Sequence, residues 1–241
     1  MKQRLLQLKF RRSWTLIVGC MLVSPITFAQ VHEPVFIAGA MRNVMWKGEL
    51  AGTIDLDTLQ KKAVYGLGPI EGLKGEILLW DGTVYSSRVI ADSQCIVSKN
   101  QALRAPFFVY VKSSNWRAVS VPDTLMDMLH LENFLNRQFE RDSVPFAFRL
   151  SVTVHYAKFH IVNLPDAVKV QSPEDAHIGK QYFELHDEEV NILGFYSTQH
   201  KGVFTHHSTN LHAHLINLRM NKMGHIDQVQ FIPGTLNLYV Q

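Results

Sequence analysis

Cysteine is nearly absent from this chain, with only Cys20 and Cys95 in 241 residues. That excludes a fold held together by a disulfide framework. Cys95 lies in the strand-like run Ser93-Gln94-Cys95-Ile96-Val97, where a thiol reads as a small packed apolar group. Charge is also sparse: 19% of residues are charged, the formal net charge is +3, and several basic residues fall in the first twelve positions. This balance gives no electrostatic basis for binding nucleic acid. Short repeats and low-complexity linkers are missing as well. The length suits one large domain or two small ones with a real core.

Long apolar runs are scarce too. The best one, residues 14–28, follows the basic residues Lys2, Arg4, Lys9, Arg11 and Arg12, and it ends at Thr27-Phe28-Ala29. This order is that of a secretory signal, with Gln30 starting the mature chain in the periplasm or outside the cell. An uncleaved anchor is the alternative. However, the run is short of the roughly 20 residues that a span needs and contains Ser24 and Pro25, so no stable membrane span is expected after cleavage. Two other signal types stay open, a lipoprotein box at Ile17-Val18-Gly19-Cys20 and a twin-arginine signal at Arg11-Arg12.

Strand-like and helix-like segments interleave from Val35 onward. Residues 56–64 suit a short helix, broken by Gly66-Leu67-Gly68-Pro69. Residues 76–79 and 83–90 read as a hairpin about Asp81-Gly82. A strand over 107–111 precedes the strongest helix, 123–139, capped by Asp123 with Leu125, Leu129, Leu135 and Phe139 on its apolar face. Further strands fall at 145–154 and 157–162 about a short turn, then at 190–196 and 211–218. A last hairpin pairs 228–232 with 235–240. The fold class is α+β, with mixed β-sheets and a few helices in two similar halves. The division is a signal peptide over 1–29, an N-terminal half over 30–142 and a C-terminal metal-binding half over 143–241.

What the chain has in excess is histidine, 12 in all, concentrated toward the C-terminal half. The sharpest signal is Leu211-His212-Ala213-His214-Leu215-Ile216. Residues two apart on a strand share a face, so both imidazoles can point to one side while Leu211, Ala213 and Leu215 face a core. His225 follows the turn Asn221-Lys222-Met223-Gly224 on a segment able to run back beside the first strand. Three imidazoles with an open fourth position are the usual layout of a catalytic zinc site, though they also suit nickel, copper or iron. Two polar residues on a wet strand face are the alternative for the His-x-His pair. His200, His206 and His207 fit either a metal-binding loop or a polar surface loop. Glu76 is the one acid in the apolar segment 76–80, where a buried carboxylate needs a partner or a metal; solvent at the strand end is its alternative.

Taken together, these segments resemble the α-acetolactate decarboxylase family. Its glycine-rich run reads here as Gly66-Leu67-Gly68-Pro69-Ile70-Glu71-Gly72-Leu73-Lys74-Gly75-Glu76, followed by Asp81-Gly82 and Tyr85. Its later blocks read as Gly194-Phe195, His212, His214 and Gly224-His225. The resemblance implies a Zn2+ enzyme that removes CO2 from a small 2-hydroxy-3-oxo acid, 2-acetolactate, and yields acetoin. It implies His212, His214 and His225 as metal ligands and Glu76 as proton donor or substrate anchor. Three departures stand out. His160 falls where the family has an arginine, Pro69 replaces a threonine, and no counterpart of a C-terminal glutamate precedes the end at Gln241. Histidine lacks the permanent charge and five-donor fork of arginine. A metal-dependent lyase or isomerase for a related hydroxy-keto acid, and a non-catalytic exported protein binding zinc or a small acid, therefore stand beside the decarboxylase. A homodimer is an open assembly state.

Overall fold

The structure, a computed structural model, describes residues 33–139 and 144–241. The signal segment read over 1–29 and the boundary read at 142 lie outside the described residues. In chain order the elements are β1 (Val35–Ala38), α1 (Met41–Lys47), β2 (Ile54–Asp55), β3 (Val64–Pro69), β4 (Glu76–Trp80), β5 (Thr83–Ala91), β6 (Gln94–Lys99), β7 (Arg104–Ala105), β8 (Phe108–Lys112) and β9 (Arg117–Val119). There follow α2 (Met128–Phe139), β10 (Phe146–Ile161), α3 (Pro173–Ala176), β11 (Gln181–Tyr196), β12 (Leu211–Asn217), β13 (Met223–Phe231) and β14 (Asn237–Val240). Among the described residues no helix is long and apolar enough to cross a membrane.

Two six-stranded sheets dominate this α+β fold. One has the order β1-β8-β3-β4-β5-β6, the other β11-β12-β13-β10-β14-β9. β10 also pairs with β11, so β10 to β13 close into a ring. The ladders of both large sheets are antiparallel, where the sequence suggested mixed sheets. Hairpin connections of only a few residues, such as the one at Asp81-Gly82, produce this directly. Both of those residues have positive φ, 48° and 81°, as a two-residue I′ turn requires.

The expected helix at 56–64 is only a 3-10 turn, Leu56–Leu59, and the expected breaker is the buried strand β3. Its glycines serve close approach rather than chain reversal. A Cβ on Gly66 would come within 2.5 Å of the Phe108 ring, and one on Gly68 within 2.5 Å of the Phe107 carbonyl. The main helix begins five residues later than read, with Asp127 accepting the His130 backbone N–H at 2.8 Å. It buries Leu131, Phe134, Leu135 and Phe139 and leaves Leu129 exposed. The two strands expected at 145–154 and 157–162 are one strand, β10. The polar pair His155-Tyr156, which resembles a turn, sits where the ladder to β13 shifts register, and His155 Nδ1 meets Asp187 Oδ1 at 2.8 Å. The expected final hairpin does not form either. β13 pairs with residues 154–160 of β10 and β14 with 148–151, end to end along a strand long enough for both.

Apolar residues at alternate positions of the ring strands divide between two of the four buried clusters. Phe146, Phe148, Leu150, Val152 and Val154 of β10 pack with α2 and with Leu211, Ala213 and Leu215 of β12. The opposite faces of the ring supply Ala147, Leu193, Phe195, Ile216 and Met223, which pack on Leu67, Leu78, Val109 and Val111 of the first sheet. The even-numbered residues of β12 therefore point at the first sheet, which decides where His212 and His214 end up.

Candidate metal centre

Strand periodicity sets His212 and His214 side by side on β12. His225 on β13 pairs across the ladder with His214. The reversal between these strands is held by Asn217, whose Oδ1 accepts the backbone N–H groups of Asn221 and Lys222 at 3.1 Å each. One ring nitrogen from each histidine lies within 4.8 Å of the others. His214 Nδ1 donates to the Ile77 carbonyl oxygen at 3.0 Å, which leaves Nε2 with a free lone pair. Among the described residues, His214 Nε2 and His212 Nδ1 are buried without a hydrogen-bond partner. Buried nitrogens are rarely left so. Three converging imidazoles, two of them with an unpartnered buried nitrogen, fit a soft-to-borderline divalent metal, and the three could hold one.

Glu76 enters from β4 of the first sheet. Its Oε2 lies 3.6 Å from His214 Nε2, and its Oε1 accepts the Val162 backbone N–H at 3.2 Å. Distance alone would suggest an ion pair, but burial argues otherwise. It pushes the Glu76 carboxyl up to about 8 and His214 down to about 3, so in the metal-free protein both are neutral at pH 7. His160 of β10 pairs across the ladder with His225, their ring centroids 4.6 Å apart. Burial lowers its pKa against the opposing pull of Asp227, whose Oδ2 accepts a hydrogen bond from Nδ1 at 2.8 Å. All five residues read from the sequence thus meet at one cavity wall or directly behind it.

Two neighbours escaped the sequence reading. Asp227 lies two residues beyond His225 and so shares its strand face, a periodicity signal that was available. His177 caps α3 and had no signal, since it reaches the cavity only through the fold of the 162–180 connection. In the loop before β12 the fates divide. His200 bonds Ser197 at 2.7 Å and stacks on Phe204, His207 is exposed, and His206 turns inward, 5.1 Å from His225 and 6.0 Å from His212 between ring centroids.

A cavity of about 30 Å3 collects Glu76, His160, His177, His206, His212 and His225 against an apolar wall that includes Met41, Met45 and Phe107. Such a concentration of depressed imidazoles makes the metal-free fold acid-sensitive. Burial, first of all, lowers His212 and His225 well below 6.5, His214 to about 3 and His177 to about 4. A histidine lowered on folding contributes stability that is present above the unfolded value and lost as pH falls toward the folded one. Glu76, raised from 4.5 to about 8, acts oppositely but is a single group. The Tm of metal-free protein should therefore fall steadily between pH 6.5 and 4 in a calorimetric scan; a flat or rising Tm over that window would contradict this account.

A closed antiparallel ring docked on a second sheet, with a histidine triad at their junction, defines an α+β protein able to hold a metal. The chain belongs to the alpha-acetolactate decarboxylase family, whose sequence model matches residues 35–241. It is 22% identical over 204 residues to the alpha-acetolactate decarboxylase of Brevibacillus brevis, an alignment covering 81% of this chain and 66% of that relative. The fold is shared with alpha-acetolactate decarboxylase from Bacillus subtilis strain 168, at a TM-score of 0.69 and 18% identity over 86% of each chain. A Staphylococcus aureus protein of unknown function similar to alpha-acetolactate decarboxylase also superposes, at a TM-score of 0.69 and 16% identity, covering 86% of this chain and 84% of that one.

Proposed function

We propose that this chain is an exported, zinc-dependent decarboxylase that converts 2-acetolactate to acetoin and CO2. The observation that carries the reading is the three-imidazole cluster with unpartnered nitrogens on His212 and His214, with Glu76 3.6 Å from His214. His212, His214 and His225 would hold Zn2+, which when bound supplies a Lewis acid for the substrate oxygens. The remaining work belongs to the protein. The carbon that loses CO2 must gain a proton, and Glu76, whose Oε2 lies 3.6 Å from His214 Nε2, would be the group to hold and deliver one. Val162 N–H fixes its orientation. His160 Nδ1–H donates a hydrogen bond to Asp227, so Nε2 would be left to orient a substrate hydroxyl. Met41, Met45 and Phe107 line the side suited to the methyl groups and keep water away.

The test is direct. Zinc-loaded protein given 2-acetolactate should release CO2 and acetoin in equal amounts, chelation should stop both, and added zinc should restore them. A metal-loaded protein that binds the acid and releases no CO2 would favour a related hydroxy-keto acid as substrate, the reading that His160 in the family's arginine position supports. The basic-then-apolar N-terminus supports export; N-terminal sequencing of the exported chain should begin at Gln30.

A further inference from the structure

The three histidines of the triad are not equally supported. His214 and His225 face each other across the β12–β13 ladder, but that ladder runs only from Ile216 opposite Met223 to His214 opposite His225. Beyond that pair β13 continues along β10, while β12 stays with β11 as far as Leu211. The two strands part there, and a cavity of about 280 Å3 lies beside α2 with Leu211 and Ala213 of β12 and Ile226 and Asp227 of β13 in its wall. His212 stands on the parted stretch. Among the described residues it is held by strand pairing on one edge only, through Phe195 of β11.

Glu132 of α2 supports this stretch from the other side. Its Oε2 accepts the Thr209 hydroxyl at 2.6 Å and its Oε1 the Asn210 backbone N–H at 2.8 Å. Thr209 Oγ1 in turn accepts the Leu211 backbone N–H at 3.1 Å, which carries the hold to the residue before His212. Asn136, one turn along the helix, accepts from the Asn210 side chain at 3.3 Å and from the Tyr196 hydroxyl at 2.6 Å. The Ser197 backbone N–H donates to the Asn210 carbonyl at 2.9 Å and closes the neck of the 197–210 loop. That loop also orients the ligand: the His212 ring bonds the backbone of Phe204, as the His214 ring bonds that of Ile77.

We infer that Glu132 is a positioning residue of the metal centre, clamping the 197–210 loop and the singly paired start of β12 so that the His212 ring stays aimed at His214 and His225. Hydrogen bonds to a carboxylate are roughly twice as strong as neutral ones, so one side chain can stand in for the ladder that β13 does not provide. Contacts that orient a ligand from behind typically set about ten- to a hundredfold in metal affinity. Glu132 acts through His212 and not on the substrate. The inference rests on the triad as the metal site and is independent of which acid the protein takes.

Zinc affinity of the full chain, measured by competition with a chromophoric chelator, tests this. The visible spectrum of the cobalt-loaded protein gives a second reading, of ligand geometry. Glu132→Ala should weaken zinc by about ten- to a hundredfold and alter the cobalt bands. Glu132→Gln, whose amide can still accept the Asn210 N–H and meet the Thr209 hydroxyl, should recover most of the affinity. Leu135→Val, on the buried face of the same helix, should lower the metal-free Tm yet leave zinc affinity and cobalt bands as in the parent. Unchanged zinc affinity in Glu132→Ala, or an equal loss in Leu135→Val, overturns the clamp. Should Glu132→Ala not fold, Thr209→Val against Thr209→Ser decides. Weaker zinc in the valine variant alone supports the clamp, and equal affinities overturn it. A parent that binds zinc and loses affinity on Glu132→Ala, but releases no CO2 from 2-acetolactate, sinks the decarboxylase reading and supports the clamp. Zinc affinity that survives His212→Ala overturns the triad and the clamp together.

Discussion

His214→Ala should strip the metal from the protein and lower acetoin formation by about a thousandfold or more. A Lewis acid contributes several kcal/mol to such a reaction, and each ~1.4 kcal/mol is a factor of ten. His214 is the most constrained of the triad: fully buried, with one ring nitrogen bonded to the Ile77 carbonyl and the other unpartnered. Alanine there leaves two imidazoles, a void and an unsatisfied carbonyl, so the metal-free variant should also be less stable than the metal-free parent. His212→Ala and His225→Ala should behave alike in metal content, measured by plasma mass spectrometry. His186→Ala, on an exposed stretch of β11, should keep full metal and activity. One metal per chain retained in His214→Ala would sink the assignment of the triad.

Glu76→Gln should separate activity from stability. In the proposed role of proton donor, Glu76 would account for about a hundred- to ten-thousandfold in rate, which glutamine cannot supply. The same change should raise the Tm of the metal-free protein at pH 7. A carboxyl whose pKa rises from 4.5 to about 8 on folding contributes stability below 4.5 that is lost as pH rises through 8. At pH 7 most of that loss has occurred, and a neutral amide avoids it while still accepting the Val162 N–H. For a chain of this size the gain is about 2–4 °C per kcal/mol. The rise should shrink below pH 5, where the parent carboxyl is protonated in both folded and unfolded states. With zinc bound the advantage should also shrink, because a neighbouring dication favours the carboxylate. Unimpaired activity in Glu76→Gln, or a metal-free Tm at pH 7 lower than the parent's, would show that Glu76 has another role.

The candidate site was more legible in the sequence than the fold around it. His212, His214 and the Asp81-Gly82 hairpin follow from local rules, the period of a strand and the φ demand of a short turn. Glu76 was conspicuous because a lone acid in an apolar run needs a reason. The misreadings share a different cause. Gly66-Leu67-Gly68-Pro69 has breaker composition, yet its glycines answer to the Phe108 ring and Phe107 carbonyl of a strand some forty residues away. His155-Tyr156 has turn composition, yet the pair sits within a strand supported on both edges by other strands. The closing hairpin failed because β10 takes both segments as successive partners. In each case a contact distant in sequence overrode a local preference. His177 belongs to the same class: nothing near it in the chain announces a cavity.

The hydrogen bond from His214 to Ile77 spans 137 residues and joins the two sheets. Glu76 and the triad consequently stand in register only once the ring and the first sheet have docked. Contacts of such separation form late in folding, so metal capture should report completed folding rather than nucleate it. Metal then binds the finished state alone and acts as a latch, slowing unfolding in proportion to its affinity and doing little to hasten folding. For a chain read as exported, that order would also delay metal selection until after the polypeptide has crossed the membrane, so the bound ion would reflect the supply in the compartment where folding ends.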